Sequence, residues 1–219
     1  MNLGISTQET GGRKQEMPLR SSVSGIPSSV INNMKRLFDF TMSLFLLIIS
    51  SIPMLFIAFL VKLTSKGPVL YWSDRVGRNN TIFRMPKFRT MKIDTPPVAT
   101  HLLSNPDHYL TPIGKFLRKS SLDELPQLLS ILKGDMSFVG PRPALFNQND
   151  LVEFRTQKGV HVLSPGLTGW AQINGRDALP IPVKVEYDEY YMMNQSFFFD
   201  LKIILLTALK VVRREGVSH

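Results

Sequence analysis

The chain has no cysteine, so disulfides, zinc–thiolate sites and thiol nucleophiles are excluded. Histidine is scarce. His101, His108, His161 and His219 are scattered and form no metal-binding motif. Acidic residues are in deficit, with 17 Asp and Glu against 26 Lys and Arg, a formal net charge of +9. That balance calls for anionic partners: nucleic acid, an anionic membrane face or phosphorylated substrates. No nucleic-acid recognition motif is visible, so nucleic acid is not expected as a partner. No internal repeat is present.

What is present is unevenly distributed. The length, 219 residues, suits one domain with a substantial core. Residues 1–33 are rich in Ser, Gly, Thr, Asn and Gln and read as a disordered tail. Residues 40–61, FTMSLFLLIISSIPMLFIAFLV, hold no charge over 22 positions. As a helix they would measure roughly 33 Å, against a hydrocarbon core of about 30 Å. A membrane location is expected. The stretch lies too far from the N-terminus for a signal peptide, and no small-residue cleavage site follows it.

Pro53 sits near its middle, removes a backbone N–H and conflicts with the carbonyl of Ile49. Ser50 and Ser51 lie beside this break, where hydroxyls can satisfy freed backbone groups. Lys35 and Arg36 precede the run, and Lys62, Lys66, Arg75 and Arg78 follow it. With cations on both flanks the positive-inside rule gives little bias. Two topologies stay open at this point: a kinked spanning helix, and one that bends at Pro53 and leaves by the face it entered.

Beyond Lys66 the chain reads as soluble. Residues 69–72 and 81–84 are strand-like, joined by a Gly-Arg-Asn-Asn turn, and residues 93–112 read as a loop. Leu122, Leu125, Leu129 and Leu132 recur at helical spacing, with Gly134 as a stop. Residues 139–145 are stiffened by two prolines. Short helices are expected at 149–158 and 183–195. The last segment, SFFFDLKIILLTALKVVRRE, has an apolar stripe and terminal cations, with Ser196 as N-cap. It suits an anionic interface or a core position equally.

Asp123 and Glu124 are adjacent in SLDELPQLLSILKGDMSFVGPRP, residues 121–143. The plain reading is a capping box, Ser121-x-x-Glu124, with Pro126 delaying the regular helix. The surroundings suggest more. A carboxylate at a helix start beside Arg118 and Lys119 should stay ionised, which suits a nucleophile or metal ligand. Arg142 is clamped by Pro141 and Pro143, Arg176 lies in NGRDA, and Lys87 and Arg89 lie in PKFRTM. Cations on several loops suit a diphosphate. A carboxylate meeting a phosphate at about 4 Å costs roughly 1 kcal/mol in water and about 4 kcal/mol at an effective dielectric of 20. Fixed cations offset this, and an oxygen-only site that bridges carboxylate and phosphate suits Mg²⁺.

KRLFDF (35–40), KFRTM (87–91), the 121–143 stretch, PGLTGWAQINGR (165–176) and the FFFDLKIILLTALKV ending together resemble the bacterial sugar transferases, the small monotopic phosphoglycosyl transferases. The resemblance runs from about residue 34 to residue 218. It implies an α+β, mostly helical, monotopic membrane protein with small strand elements and amphipathic interfacial helices. It divides the chain into a tail (1–33), a re-entrant membrane helix (34–63) and a cytoplasmic catalytic domain with membrane-surface helices (64–219). It implies transfer of a sugar 1-phosphate, with an N-acetylated donor preferred, from a UDP-sugar to undecaprenyl phosphate, releasing UMP. By similarity Asp123 is the nucleophile and Mg²⁺ ligand, and Glu124 supports it. Lys87, Arg118, Arg142 and Arg176 line the site, and Asp200 matches an acid of the family's final segment.

The resemblance further implies the inner membrane with the catalytic domain on its cytoplasmic face, and membrane lipids as partners. Larger relatives carry extra N-terminal membrane helices, and this chain looks like the minimal form. In the family the break is Ser-Pro, whereas here Ile52 separates Ser51 from Pro53. Downstream glycosyltransferases and the oligomeric state stay open. Two rivals are carried: a basic membrane-anchored adaptor without catalysis, and a glycosyltransferase that releases UDP.

Overall fold

The computed structural model describes residues 28–96, 106–175 and 178–213. Its first element, α1, runs over Ser28–Thr64 for 37 residues with Pro53 inside it. It starts six residues before Met34, the expected start of the membrane helix. Its apolar stretch, mean hydropathy 2.8, is long enough to cross a membrane. Leu44, Phe45, Ile48, Ile49, Ile52, Leu55, Phe56, Phe59 and Leu63 are all exposed. Such a continuous apolar surface is unusual on a protein facing water.

The serines near Pro53 act locally. Ser50 Oγ donates to the Leu46 carbonyl at 2.6 Å and Ser51 Oγ to the Ile48 carbonyl at 2.7 Å. Neither takes the Ile49 carbonyl that Pro53 leaves without its helical donor. The expectation that they would is corrected: a hydroxyl on a helix reaches back three or four residues, and neither Ser50 nor Ser51 is so placed relative to Ile49.

The opposite stripe of α1 packs on the rest of the chain at both ends. Phe38, Met42, Leu46 and Leu47 lie against a core of Leu128, Ile131, Met136, Phe138 and Ile203. Met54, Ile57, Ala58 and Val61 join a second core with Phe88 and Leu117. Polar ties reinforce each end. Arg36 donates to the carbonyls of Ile131 and Leu132, both at 2.7 Å, satisfying carbonyls at the end of a later helix. Arg89 donates to the carbonyls of Ser65 and Lys66, just past the other end of α1.

Strands β1 (Leu70–Val76) and β2 (Ile82–Phe88) form an antiparallel hairpin in register from Leu70↔Phe88 to Val76↔Ile82. Asn79 and Asn80 take left-handed backbone angles in the turn, where asparagine is tolerated. Both strands run past their expected ends at 72 and 84. The charges at Asp74, Arg75 and Lys87 hid the continuation, yet Asp74 pairs with Arg84 across the ladder. The expected loop at 93–112 contains a short 3₁₀ turn, Pro106–Tyr109, and its residues 97–105 lie outside the described set.

Helix α2 (Gly114–Lys119) leads into a 3₁₀ segment, Leu122–Gln127, and then α3 (Leu128–Lys133), which stops at Gly134 with φ +100°. Strand β3 (Ser137–Val139) pairs in parallel with β4 (Gly166–Thr168), and α4 (Asn149–Gln157) lies in the crossover. The pair crosses at glycines. A Cβ on Gly166 would lie 2.1 Å from the Gly140 nitrogen, and one on Gly140 would lie 2.3 Å from the Ser164 carbonyl oxygen. Only glycine permits that approach.

The chain ends with α5 (Trp170–Ile173), α6 (Ile181–Met193) and α7 (Phe197–Arg213). Ser196 accepts from the Phe199 N–H at 3.2 Å, as a cap should. Of the three consecutive phenylalanines at the start of α7, Phe198 is exposed. Phe197 stacks edge-on to Phe38, and Phe199 packs among Trp170, Tyr190 and Tyr191. Leu201, Leu205 and Leu209 continue an exposed apolar stripe along α7. The described residues are mostly helical, with two small two-stranded sheets among them.

Candidate active site

The site is built where β2, the 3₁₀ segment and the chain after β3 converge. Ser121 enters the segment with φ +56°, left-handed for a residue with a Cβ, and makes no side-chain cap. The expected capping box is therefore absent. Ser121 contributes its carbonyl alone, accepting from Glu124 N–H at 3.2 Å, with no bond from its hydroxyl to the first-turn amides. The turn throws the two acids apart. Asp123 is buried, and Glu124 reaches a cluster of cations.

Lys87 Nζ, from β2, donates to Glu124 Oε1 at 2.7 Å, and Arg142 Nη2 lies 3.9 Å from the same oxygen. Arg118 donates from Nε to Thr90 Oγ1 at 3.0 Å, which holds its guanidinium beside Asp123. Desolvation lowers the pKa of Arg118, while Asp123 raises it. Lys119, expected beside the acids, is exposed. It is the residue next to Arg118 on a helix, so it points elsewhere.

Burial dominates Asp123. Its carboxyl is pushed up from 3.8 to about 6 by desolvation and by Glu124, against the pull of Lys87 and Arg118. The cations expected to keep it ionised are present, but they do not hold its pKa down to the ordinary value. Loss of water outweighs the cations. Above pH 6 the group is still mainly a carboxylate. Its Oδ1 is buried and takes no hydrogen bond from any described residue. A buried oxygen without a donor is costly unless something else engages it.

That orphaned oxygen fits a divalent cation. Among the described residues no group of three His, Cys, Asp or Glu forms a protein cage. Mg²⁺ does not need one, since it is commonly held by one or two carboxylates together with substrate phosphates and water.

Arg176 lies outside the described residues. Asp200 lies in a separate network. It accepts from Lys35 Nζ at 2.5 Å and from Tyr191 Oη at 2.7 Å, joining α1, α6 and α7. Asp39 of α1 stands beside it and accepts from Phe138 N–H at 3.0 Å. Ser51 and Pro53 lie in the exposed middle of α1. A small cleft is lined in part by Asn80, Pro141, Ala144, Arg155 and His161 but by neither acid.

The sequence matches the family described as bacterial sugar transferase over residues 30–214. The chain belongs to the bacterial sugar transferase family. It is similar to the uncharacterized sugar transferase EpsL of Bacillus subtilis (strain 168), 46% identical over 189 residues, covering 85% of this chain and 91% of that protein. It is also similar to the UDP-glucose:undecaprenyl-phosphate glucose-1-phosphate transferase of Escherichia coli (strain K12), 40% identical over 195 residues, 84% of this chain and 41% of the relative. A UDP-N-acetylgalactosamine-undecaprenyl-phosphate N-acetylgalactosaminephosphotransferase of Aeromonas hydrophila is 36% identical over 197 residues, 87% of this chain and 46% of the relative. The chain thus spans less than half the length of the last two.

Within this sugar transferase, several residues that hold the site gave no signal in the sequence. Arg155 and Asp188 form a buried ion pair, Nη2 to Oδ2 2.7 Å, between α4 and α6. Arg75 donates to the Pro143 carbonyl at 3.2 Å. These pairs join residues tens of positions apart, so no local spacing betrays them. Arg89, grouped with Lys87 as a diphosphate ligand, turns instead to the end of α1.

Proposed function

We propose that this sugar transferase moves a sugar 1-phosphate from a UDP-sugar to undecaprenyl phosphate. The products are undecaprenyl-diphosphate sugar and UMP, the first membrane step of a bacterial glycan. The observation that carries this reading is the Asp123 Oδ1 atom, buried without a donor among the described residues, with the charges of Lys87 and Arg118 acting on its carboxylate and Arg142 on the neighbouring Glu124. Relatives named for transfer of glucose 1-phosphate, galactose phosphate or N-acetylgalactosamine phosphate to undecaprenyl phosphate support the class of reaction. Because those names differ in the sugar, they do not select the donor. The N-acetylated donor is retained from the resemblance alone.

In the proposed chemistry a carboxylate oxygen of Asp123 attacks the phosphorus that bears the sugar. The P–O bond to UMP breaks, and UMP leaves with the bridging oxygen. An acyl phosphosugar stays on Asp123. A phosphate oxygen of undecaprenyl phosphate then attacks the same phosphorus, the bond to Asp123 breaks and the carboxylate is restored. Lys87 and Arg142 hold Glu124 and present positive charge to the diphosphate, and Arg118 does so beside Asp123. Arg176 is assigned to the same task on the resemblance. Asp123 would hold Mg²⁺, which supplies charge neutralisation on the phosphoryl oxygens when bound.

The membrane reading is a re-entrant α1, both flanks on the cytoplasmic side. What supports it is that both ends of α1 grip one catalytic body: Arg36 on α3, and Ser65 and Lys66 under Arg89. A helix crossing the bilayer would separate those ends by the hydrocarbon core, about 30 Å. The exposed stripe of α7 would rest at the headgroups, where the lipid's phosphate lies.

The test is product analysis. Enzyme, Mg²⁺, undecaprenyl phosphate and a panel of UDP-sugars should yield UMP and a lipid-linked diphosphate sugar. UDP as the product would assign an ordinary glycosyltransferase. No turnover with any donor would favour the non-catalytic adaptor.

A further inference from the structure

We propose that Arg155, committed by Asp188, is a positioning residue for Arg142 and so for the anion-binding face of the site. This rests on the reading of Arg142 as a diphosphate-facing cation. Residues 141–144 form neither a helix nor a regular strand, so their carbonyls must find partners elsewhere. All four do. The Pro141 carbonyl accepts from Gly166 N–H at 2.8 Å, and that of Arg142 accepts from Arg155 Nη1 at 2.8 Å. The Pro143 carbonyl accepts from Arg75 Nη1 at 3.2 Å, and that of Ala144 accepts from Val76 N–H at 3.0 Å. Two prolines remove donors and restrict φ, so the stretch is fixed largely by its acceptors.

Arg155 holds the carbonyl of the very residue whose guanidinium reaches Glu124. It is itself nearly inaccessible, 8% exposed, and Asp188 is 1% exposed. Asp188 Oδ2 takes one edge of the fork, Nε at 3.0 Å and Nη2 at 2.7 Å. That leaves Nη1 for the Arg142 carbonyl. A guanidinium can serve both partners at fixed angles, whereas a lysine ammonium is a point charge on a flexible stem. A buried ion pair is weak evidence for stability, since packed apolar residues often do as well. The directed third bond is what an apolar replacement cannot supply.

The test is a double-mutant cycle on UMP release, with the full-length protein in detergent and the donor that turns over best. Arg155→Lys keeps the charge beside Asp188 and loses the fork. It is expected to lower kcat/KM about tenfold in the wild-type background and less than about twofold in Arg142→Ala, because coupled sites do not add. Its melting temperature is compared in both backgrounds. An equal factor in the two backgrounds, or no loss in the wild type, would overturn the proposal. If Arg155→Lys does not accumulate, Asp188→Asn, near-isosteric with its parent, takes its place in the cycle. A larger loss in the wild type than in Arg142→Ala again supports the role, and equal losses again overturn it. If the unmodified enzyme releases no UMP, the proposed reaction and this inference fall together. An active enzyme without coupling sinks the positioning role alone.

Discussion

Lys87 Nζ lies 2.7 Å from Glu124 Oε1, and this contact ties strand β2 to the turn that carries Asp123. Lys87 is also the strongest of the charges that favour the ionised form of Asp123. One side chain thus fixes Glu124 and keeps more of Asp123 in its ionised form, the form that the proposed attack on phosphorus requires. Replacing Lys87 with methionine should move the acid limb of the kcat/KM profile for UMP release to higher pH, since a lost cation raises a carboxylate pKa. A limb that stays in place or moves to lower pH would contradict this role.

Asp123 should cost the fold stability while serving catalysis. Its native pKa, about 6, lies above the ordinary 3.8, so the protonated form is the one the fold prefers. The penalty is absent below about pH 4, grows between 4 and 6 and is complete above 6. Asp123→Asn should therefore abolish turnover yet raise stability at pH 8 by up to about 3 kcal/mol. Thermal unfolding in detergent with EDTA checks it. The variant should melt higher than the parent at pH 8, and the gap should close by pH 4.

Divalent cations should be required. EDTA is expected to suppress UMP release, and added Mg²⁺ to restore it, because a carboxylate and a diphosphate repel each other. Full activity in EDTA would remove the metal from the account.

The glycine crossing of β3 and β4 should tolerate no Cβ. Gly166→Ala would place a methyl 2.1 Å from backbone, with no flexible side chain to yield. A loss of roughly 3–5 kcal/mol, or no folded protein, is expected. Gly159→Ala, with φ +74° but its nearest neighbour 4.0 Å away, should cost only about 1 kcal/mol. Comparison of the two melting curves separates close approach from backbone strain.

Topology is checked by labelling. Tags at residues 20 and 219 should react from one side of the membrane. Reaction from opposite sides would assign a spanning α1.

Much of this arrangement was legible in the sequence, for identifiable reasons. An uncharged run of 22 residues announces a membrane element by composition alone. Pro141 and Pro143 announce a stiff stretch around Arg142, and Gly134 a helix stop. What escaped was whatever depends on distance in the fold. The burial of Asp123 comes from packing around a turn that Ser121 enters with positive φ, and a capping-box spacing gives no hint of that angle. Asp200 matched a motif, but its partners, Lys35 and Tyr191, stand on other helices. Lys119 and Arg118 look equivalent in sequence, and only the helical turn decides which one faces the acid.

The central claim is that Asp123 bonds covalently to phosphorus, and trapping tests it most directly. The enzyme is incubated with UDP-sugar labelled with ³²P at the sugar-bearing phosphate, without lipid acceptor, then digested and mapped. The account expects label on the peptide that contains Asp123, its discharge on adding undecaprenyl phosphate, and none in Asp123→Asn. Release of UMP with no labelled peptide, or label that persists in Asp123→Asn, would contradict it.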